Sequence, residues 1–174
     1  MTVSFEGFPR TLERSALRPG RWFLAAEGLR PLLCLATDVM DGSDFVALTF
    51  SATGVEQLEF AVTTLGALAG PFSTVEDEVV FAPGAGDGRP MMVAPVRRAF
   101  RSGSLLRLRS GDLGVGFAAN PGGHLIIVSL NTGARAEAFD LVFERWTLSL
   151  RRGGAETLVG GFKPLQTFAD RKRG

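Results

Sequence analysis

Five arginines in the second half of this 174-residue chain carry its most suggestive chemistry. Arg97, Arg98 and Arg101 precede a short apolar run, and Arg107 and Arg109 alternate with Leu106 and Leu108 inside it. A guanidinium is a rigid planar fork that grips phosphate or carboxylate through two parallel hydrogen bonds, so this stripe suits an anionic ligand. Strand alternation puts Leu105, Arg107 and Arg109 on one face and turns Leu106 and Leu108 inward. The same stripe would also serve as the solvent face of an ordinary sheet. Nucleic acid fits poorly, because no aromatic residues are interleaved to stack on bases.

Catalytic chemistry is harder to assemble. His124 is the only histidine, which excludes a multi-histidine metal site. It follows Pro121-Gly122-Gly123 at a turn before an apolar run, a place for a structural or exposed imidazole. Cys34 is the only cysteine, so it has no partner for an intramolecular disulfide, and a reducing cytoplasm is expected. Its apolar surroundings mark a small buried thiol, not a nucleophile. Glu76, Asp77 and Glu78 offer carboxylates, but consecutive strand residues face opposite sides, so they read as a solvated edge. Gly111, Gly114 and Gly116 do not make the dinucleotide fingerprint, and no Gly-Lys-Ser/Thr sequence supplies a P-loop. The expectation is a non-enzymatic protein with no cofactor and no metal.

The elements that position these residues read as strands. Short apolar runs broken by many of the 22 glycines point to an all-β protein with short helices only. Strands are expected over 21–27 and 31–37 around a turn at Gly28, and over 45–50 after the turn Asp41-Gly42-Ser43-Asp44. Leu58, Phe60 and Val62 alternate with Gln57 and Glu59, the period of a half-buried strand. Further strands are expected over 75–81, 105–109, 113–118, 125–130 and 157–162. Residues 139–152 carry both a helical stripe and strand alternation. Strand is favoured, with a bulge near Glu144-Arg145 to correct the phase. Thr11 is placed to cap one helical turn ending at Pro19-Gly20, and Pro164 to open a final short helix. No run approaches the roughly 18 apolar residues of a membrane span, and the first ten residues lack the apolar stretch of a secretory signal.

Two longer-range patterns bear on the whole fold. Ala16-Leu17-Arg18-Pro19-Gly20 returns as Ala99-Phe100-Arg101-Ser102-Gly103, and at the same offset Arg14 matches Arg97, Gly28 matches Gly111 and Ala36 matches Ala119. After a short deletion Thr53-Gly54 aligns with Thr132-Gly133 and Phe60 with Phe139, the mark of an internal repeat. Charge divides along the same line. Residues 1–89 hold six basic and twelve acidic side chains, and residues 90–174 hold thirteen and six. The chain accordingly reads as an acidic half over 1–82, a Gly/Pro-rich linker or loop over 83–90, and a basic half over 91–174. Opposite faces of this kind would meet between the halves or head-to-tail between molecules, setting orientation and encounter rate.

Arg14-Ser15-Ala16-Leu17-Arg18 and Arg97-Arg98-Ala99-Phe100-Arg101 each hold two arginines four apart ahead of a run of strands. This resembles the arginine motif of PilZ domains, six-stranded barrels that bind cyclic di-GMP. In that family a second motif follows, with Asp or Asn, then Ser, then Gly. The matching stretches here begin at Asp38 and Asn120, with the serine missing and the glycine displaced. Gly160-Gly161-Phe162-Lys163-Pro164-Leu165 is similar to the family's last strand running into a helix. The resemblance implies an anionic-ligand site made of Arg97, Arg98, Arg101 and Asn120, with Arg14, Arg18 and Asp38 as its first-half equivalent.

The fold expected is therefore all-β, built as two similar barrel- or sandwich-like halves. The function expected is a non-enzymatic interaction or assembly module that binds protein partners or itself through its acidic and basic halves. A cyclic dinucleotide sensor of the PilZ kind, or a bacterial virion or appendage component, are the alternatives.

Overall fold

The computed structural model describes residues 10–27, 30–53, 56–84, 89–90, 102–118 and 124–162. Within them the chain is all-β, and its helical residues are two 3-10 turns, Arg14–Ala16 and Leu65–Ala67. The first half supplies β1 (Thr11–Leu12), β2 (Trp22–Glu27), β3 (Arg30–Asp41), β4 (Asp44–Ala52), β5 (Leu58–Thr64), β6 (Ala69–Thr74) and β7 (Glu78–Pro83). The second supplies β8 (Arg89–Pro90), β9 (Ser104–Leu108), β10 (Leu113–Ala118), β11 (Leu125–Ser129), β12 (Arg135–Ala136), β13 (Phe139–Phe143), β14 (Trp146–Arg152) and β15 (Ala155–Phe162). Glycine turns cut most runs short before a helix could nucleate, and Val, Phe, Ile and Thr fill the runs with residues that pack well on a pleated surface.

The strands form three antiparallel sheets. One runs β1-β6-β2-β3-β4-β5, the second β8-β13-β9-β10-β11-β12, and the third β7-β14-β15. These sheets do not close on themselves, so the barrel form of the expected halves is corrected to open, packed sheets. The central core draws on all three: Leu35, Leu48 and Phe50 from the first, Leu105, Val115 and Val128 from the second, Trp146 and Leu148 from the third. A smaller cluster around Phe23, Cys34 and Phe72 covers the other face of the first sheet. Another around Leu106, Leu108 and Phe139 does so for the second. No helix among the described residues is long and apolar enough to cross a membrane.

Several local expectations change. Thr11 does not cap a helix: it pairs with Ser73 in β6, and the 3-10 turn at Arg14 has Glu13 ahead of it with no side-chain cap. Leu105 does not share a solvent face with Arg107, because it is as fully buried (0% exposed) as Leu106. Both faces of β9 are covered by apolar clusters, and such a strand loses the alternation of a half-exposed one. Arg109 lies past the end of β9. Residues 139–152 are two strands, not one bulged strand. Between Phe143 and Trp146 the chain leaves the second sheet for the third. The strand expected over 75–81 starts only at Glu78, after the crossing from β6. Pro83 ends β7 and Arg89–Pro90 form β8, while 85–88 of the expected loop lie outside the described residues. The turn at Gly28 and the helix opening at Pro164 lie outside them as well.

Cys34 is buried as expected, and burial pushes its thiol up to about 12 from an ordinary 9.0. The thiolate is the reactive form, so native Cys34 should resist an aromatic disulfide reagent until the chain unfolds. In urea the labelling rate should follow the unfolded fraction; brisk labelling of the native chain would contradict the buried site. A thiol pKa raised by folding stabilises the native state fully below pH 9, and that contribution is lost as pH climbs toward 12.

Candidate functional site

Arg14 leaves the first 3-10 turn and reaches the second. Its Nη1 donates to the Gly66 carbonyl at 3.2 Å and its Nη2 to the Leu68 carbonyl at 2.8 Å. The same guanidinium lies 5.7 Å from the centre of the Phe72 ring. Asp44 completes the clasp by accepting from the Gly66 N–H. Arg14 thus fastens Leu65–Ala67 against the first sheet. Asp38 is also engaged, since its Oδ1 accepts from the Arg135 N–H at 2.8 Å and its own N–H donates to the Gly133 carbonyl at 3.0 Å. That pair of bonds joins β3 of the first half to the β11–β12 turn of the second. Arg18 is exposed. Arg97, Arg98, Arg101 and Asn120 lie outside the described residues. Arg14 and Asp38 thus each bond to backbone partners.

Arg14→Ala should accordingly cost about 1 kcal/mol of stability, since charge-assisted bonds to carbonyls and a ring contact are lost at a partly solvated position. A urea midpoint that does not move would show that the clasp is idle.

Several other charges are arranged in pairs. Arg107 grips Asp140 with both forks, Nε to Oδ1 at 2.9 Å and Nη2 to Oδ2 at 2.6 Å. This bond raises the guanidinium and holds the Asp140 carboxyl below its ordinary range. Arg151 bonds Glu156 at 3.1 Å and Glu78 at 3.2 Å, which lowers the Glu156 carboxyl with help from Ser149. Arg152 pairs with Asp77 and lies 4.0 Å from Glu76. The acidic run is therefore not a bare solvated edge. It faces the basic end of β14, one place where the two oppositely charged halves meet within a single molecule. Exposed pairs like these fix geometry more than they stabilise, because solvent screens them.

His124 is exposed immediately before β11. Among the described residues no three His, Cys, Asp or Glu side chains converge as metal ligands.

A cleft of about 800 Å³ lies along β7. Asp77, Glu78, Val79 and Phe81 form one wall, Gly20, Arg21 and Trp22 a second, and Asp112 and Asn131 a third. Trp22 and Phe81 sit side by side, with ring centres 5.8 Å apart. Asp112 is held by Ser110 Oγ at 3.0 Å and by Asn131 Nδ2 at 2.8 Å. Thr74 Oγ1, at the cleft wall, is buried without a hydrogen-bond partner. Sequence reasoning missed this cleft, because its walls come from four separate stretches. The one local signal was glycine: Gly20 and Gly111 both hold positive φ, at 82° and 93°, in turns that border it.

Comparison of the chain with protein-family profiles, curated proteins and solved structures returns no significant match.

Proposed function

We propose that this protein is a non-enzymatic interaction module, built by duplication, that binds protein partners along its open sheets. The observation that carries this reading is the arrangement of those sheets. Among the described residues their edge strands have one side unpaired, where backbone donors and acceptors could take a further strand. Duplication is supported by strand order. Shifting β1-β6-β2-β3-β4-β5 by seven strands gives β8-β13-β9-β10-β11-β12, the order of the second sheet. Gly20 and Gly103, matched by the repeat, both take positive φ just before β2 and β9, at 82° and 91°. Assembly into a larger array, as in a virion or appendage, is a special case of the same reading.

Light scattering on the purified chain, alone and mixed with captured partners, tests the proposal. Association should be evident at about 0.01 M salt, where the Debye length is about 30 Å, and should weaken near 1 M, where it is about 3 Å. A strictly monomeric chain with no salt-sensitive partner would overturn it.

A cyclic di-GMP sensor of the PilZ kind is the second reading, favoured by the paired arginines ahead of β2. The contacts made by Arg14 and Asp38 count against a first-half site, so binding would rest on Arg97, Arg98 and Arg101. Arg97→Ala with Arg101→Ala should then abolish a ligand-induced thermal shift. No shift with the unaltered chain removes this reading.

A further inference from the structure

The face of the first sheet that carries Cys34 also holds a hollow of about 360 Å³ over β3, β4 and β5. Register sets its walls. Cys34 pairs with Thr49 and Thr49 with Ala61, so strand alternation brings Arg30 and Leu32 of β3, Thr49 and Ser51 of β4, and Glu59 and Thr63 of β5 to this one face. Buried Leu32 and Leu68 line it with hydrocarbon, and Arg14 holds the Leu68 carbonyl in place. Thr49 Oγ1 donates to the Ala61 carbonyl at 3.3 Å. The Ser51 and Thr63 hydroxyls, the Arg30 guanidinium and the Glu59 carboxylate have no hydrogen-bond or ion-pair partner among the described residues. Arg107 and Arg151, by contrast, are each paired with a carboxylate. β11 holds the place in the second sheet that β4 holds in the first, and there Leu125 and Ile127 join the apolar cluster around Phe139. Smaller, hydroxylated side chains on β4 and β5 leave the first sheet open instead.

We propose that this hollow is a binding site for a small zwitterion of dipeptide size, with the ligand carboxylate on Arg30 and its ammonium on Glu59. The site lies on a sheet face, so it goes beyond the interaction reading and makes no use of the sheet edges. Arg30 and Glu59 stand two strands and two residues apart, about 12 Å between Cα atoms, and both side chains border the hollow. Uncommitted charges of both signs call for a ligand that carries both, since a simple anion or cation would leave one of them unused. The planar Arg30 fork takes a carboxylate through two parallel bonds, and Glu59 accepts from an ammonium. The hydroxyls of Ser51 and Thr63 can donate to the central amide carbonyl or accept from its N–H. Leu32 and Leu68 give a short aliphatic side chain an apolar surface. No aromatic ring is among the described residues that line the hollow, so a sugar finds no face to stack on. Its volume suits a ligand of this size, small-molecule sites starting at about 300 Å³.

The probe is the dipeptide alanyl-alanine, titrated into the isotope-labelled full-length chain while backbone amide chemical shifts are followed. Ser51, Ala61 and Leu68 should shift saturably, with a dissociation constant on the order of 1 mM or tighter. Blocking either end of the dipeptide, by N-acetylation or C-terminal amidation, should weaken binding about tenfold, the worth of one charge-assisted contact. Arg30→Gln should weaken the free and the N-acetylated dipeptide alike while leaving the amidated one unchanged, and Glu59→Gln should do the converse. Both positions are exposed, so neither change should move the thermal midpoint. Ser51→Leu, which puts into β4 the bulk that Leu125 and Ile127 give β11, should abolish the shifts. No saturable shift at about ten times that concentration, shifts confined to another face, or blocked dipeptides that bind as well as the free one would each overturn the assignment. Because salt-sensitive association is read separately by light scattering, failure here leaves the interaction reading standing.

Discussion

Trp146→Ala should cost about 3–5 kcal/mol of unfolding free energy, the range for removing a large buried aromatic side chain. Trp146 is 1% exposed at the point where the three sheets meet. Its ring stacks on Phe162 at 5.0 Å and lies 5.4 Å from Phe81 and 6.1 Å from Phe50. Its indole N–H donates to the Gly103 carbonyl at 2.8 Å, ahead of β9. Alanine would leave both a cavity and a buried carbonyl without its donor. Against a typical total of about 5–15 kcal/mol, that loss is a large share of the stability. Trp146→Phe separates the two effects, since it keeps most of the packing and should lose about 1–3 kcal/mol through the orphaned carbonyl. Because the core takes side chains from both halves, the loss should appear as one cooperative transition at a lower urea midpoint with an unchanged slope. Circular dichroism and Trp22 fluorescence would check this. A loss below about 1 kcal/mol, or two separate transitions, would mean that the halves do not depend on a common core.

That dependence was only partly legible in the amino-acid sequence. Where one face of a strand is covered and the other wet, local pattern was enough. Leu58, Phe60 and Val62 alternate with exposed neighbours in β5, whereas Leu113–Ala118, buried along most of its length, is delimited by the glycine turns around it. The Asp41–Asp44 turn is equally plain, because Gly42 supplies the positive φ of 62° that a tight hairpin needs. Local pattern failed where the chain changes sheets. The crossings at 75–77 and 144–145 lie inside runs that look continuous, and only the pairing of β7 with β14, far apart in sequence, decides where each strand begins. The contacts of Arg14 and Asp38 were illegible for a related reason. Spacing marks Arg14 and Arg18 as a ligand pair, but the carbonyls that capture Arg14 lie 52 and 54 residues away, and the amide that binds Asp38 lies 97 away. A motif states which groups are near one another in the chain, not which backbone groups will reach them first. The charge split has a local counterpart in the fold, where Glu76, Asp77 and Glu78 meet the Arg151-Arg152 end of β14.

Gly133→Ala should be nearly as damaging, through strain at the seam between the halves. Gly133 adopts a φ of 66°, where a side chain on an L residue costs about 1–2 kcal/mol. Conformation alone is the smaller part. A Cβ at Gly133 would sit 2.2 Å from the Gly20 nitrogen and 2.4 Å from the Ala36 carbonyl oxygen. Both are backbone atoms and they are hydrogen-bonded to each other, Gly20 N–H to Ala36 O at 2.9 Å. Neither can rotate away as a flexible side chain would, so relief requires moving the turn before β2 or the β11–β12 turn. Overpacking of this kind costs about 1–3 kcal/mol, which added to the conformational cost gives about 2–5 kcal/mol. Movement there would also pull on the Gly133 carbonyl that accepts from Asp38 N–H. Gly42→Ala is the control, because Gly42 has a similar φ of 62° with nothing within 4 Å of its Cβ position. It should lose only the conformational share. If the two variants unfold at the same urea concentration, the contact between the halves at Gly133 is loose enough to yield. If Gly133→Ala falls well below Gly42→Ala, close backbone approach at the seam is what demands glycine there.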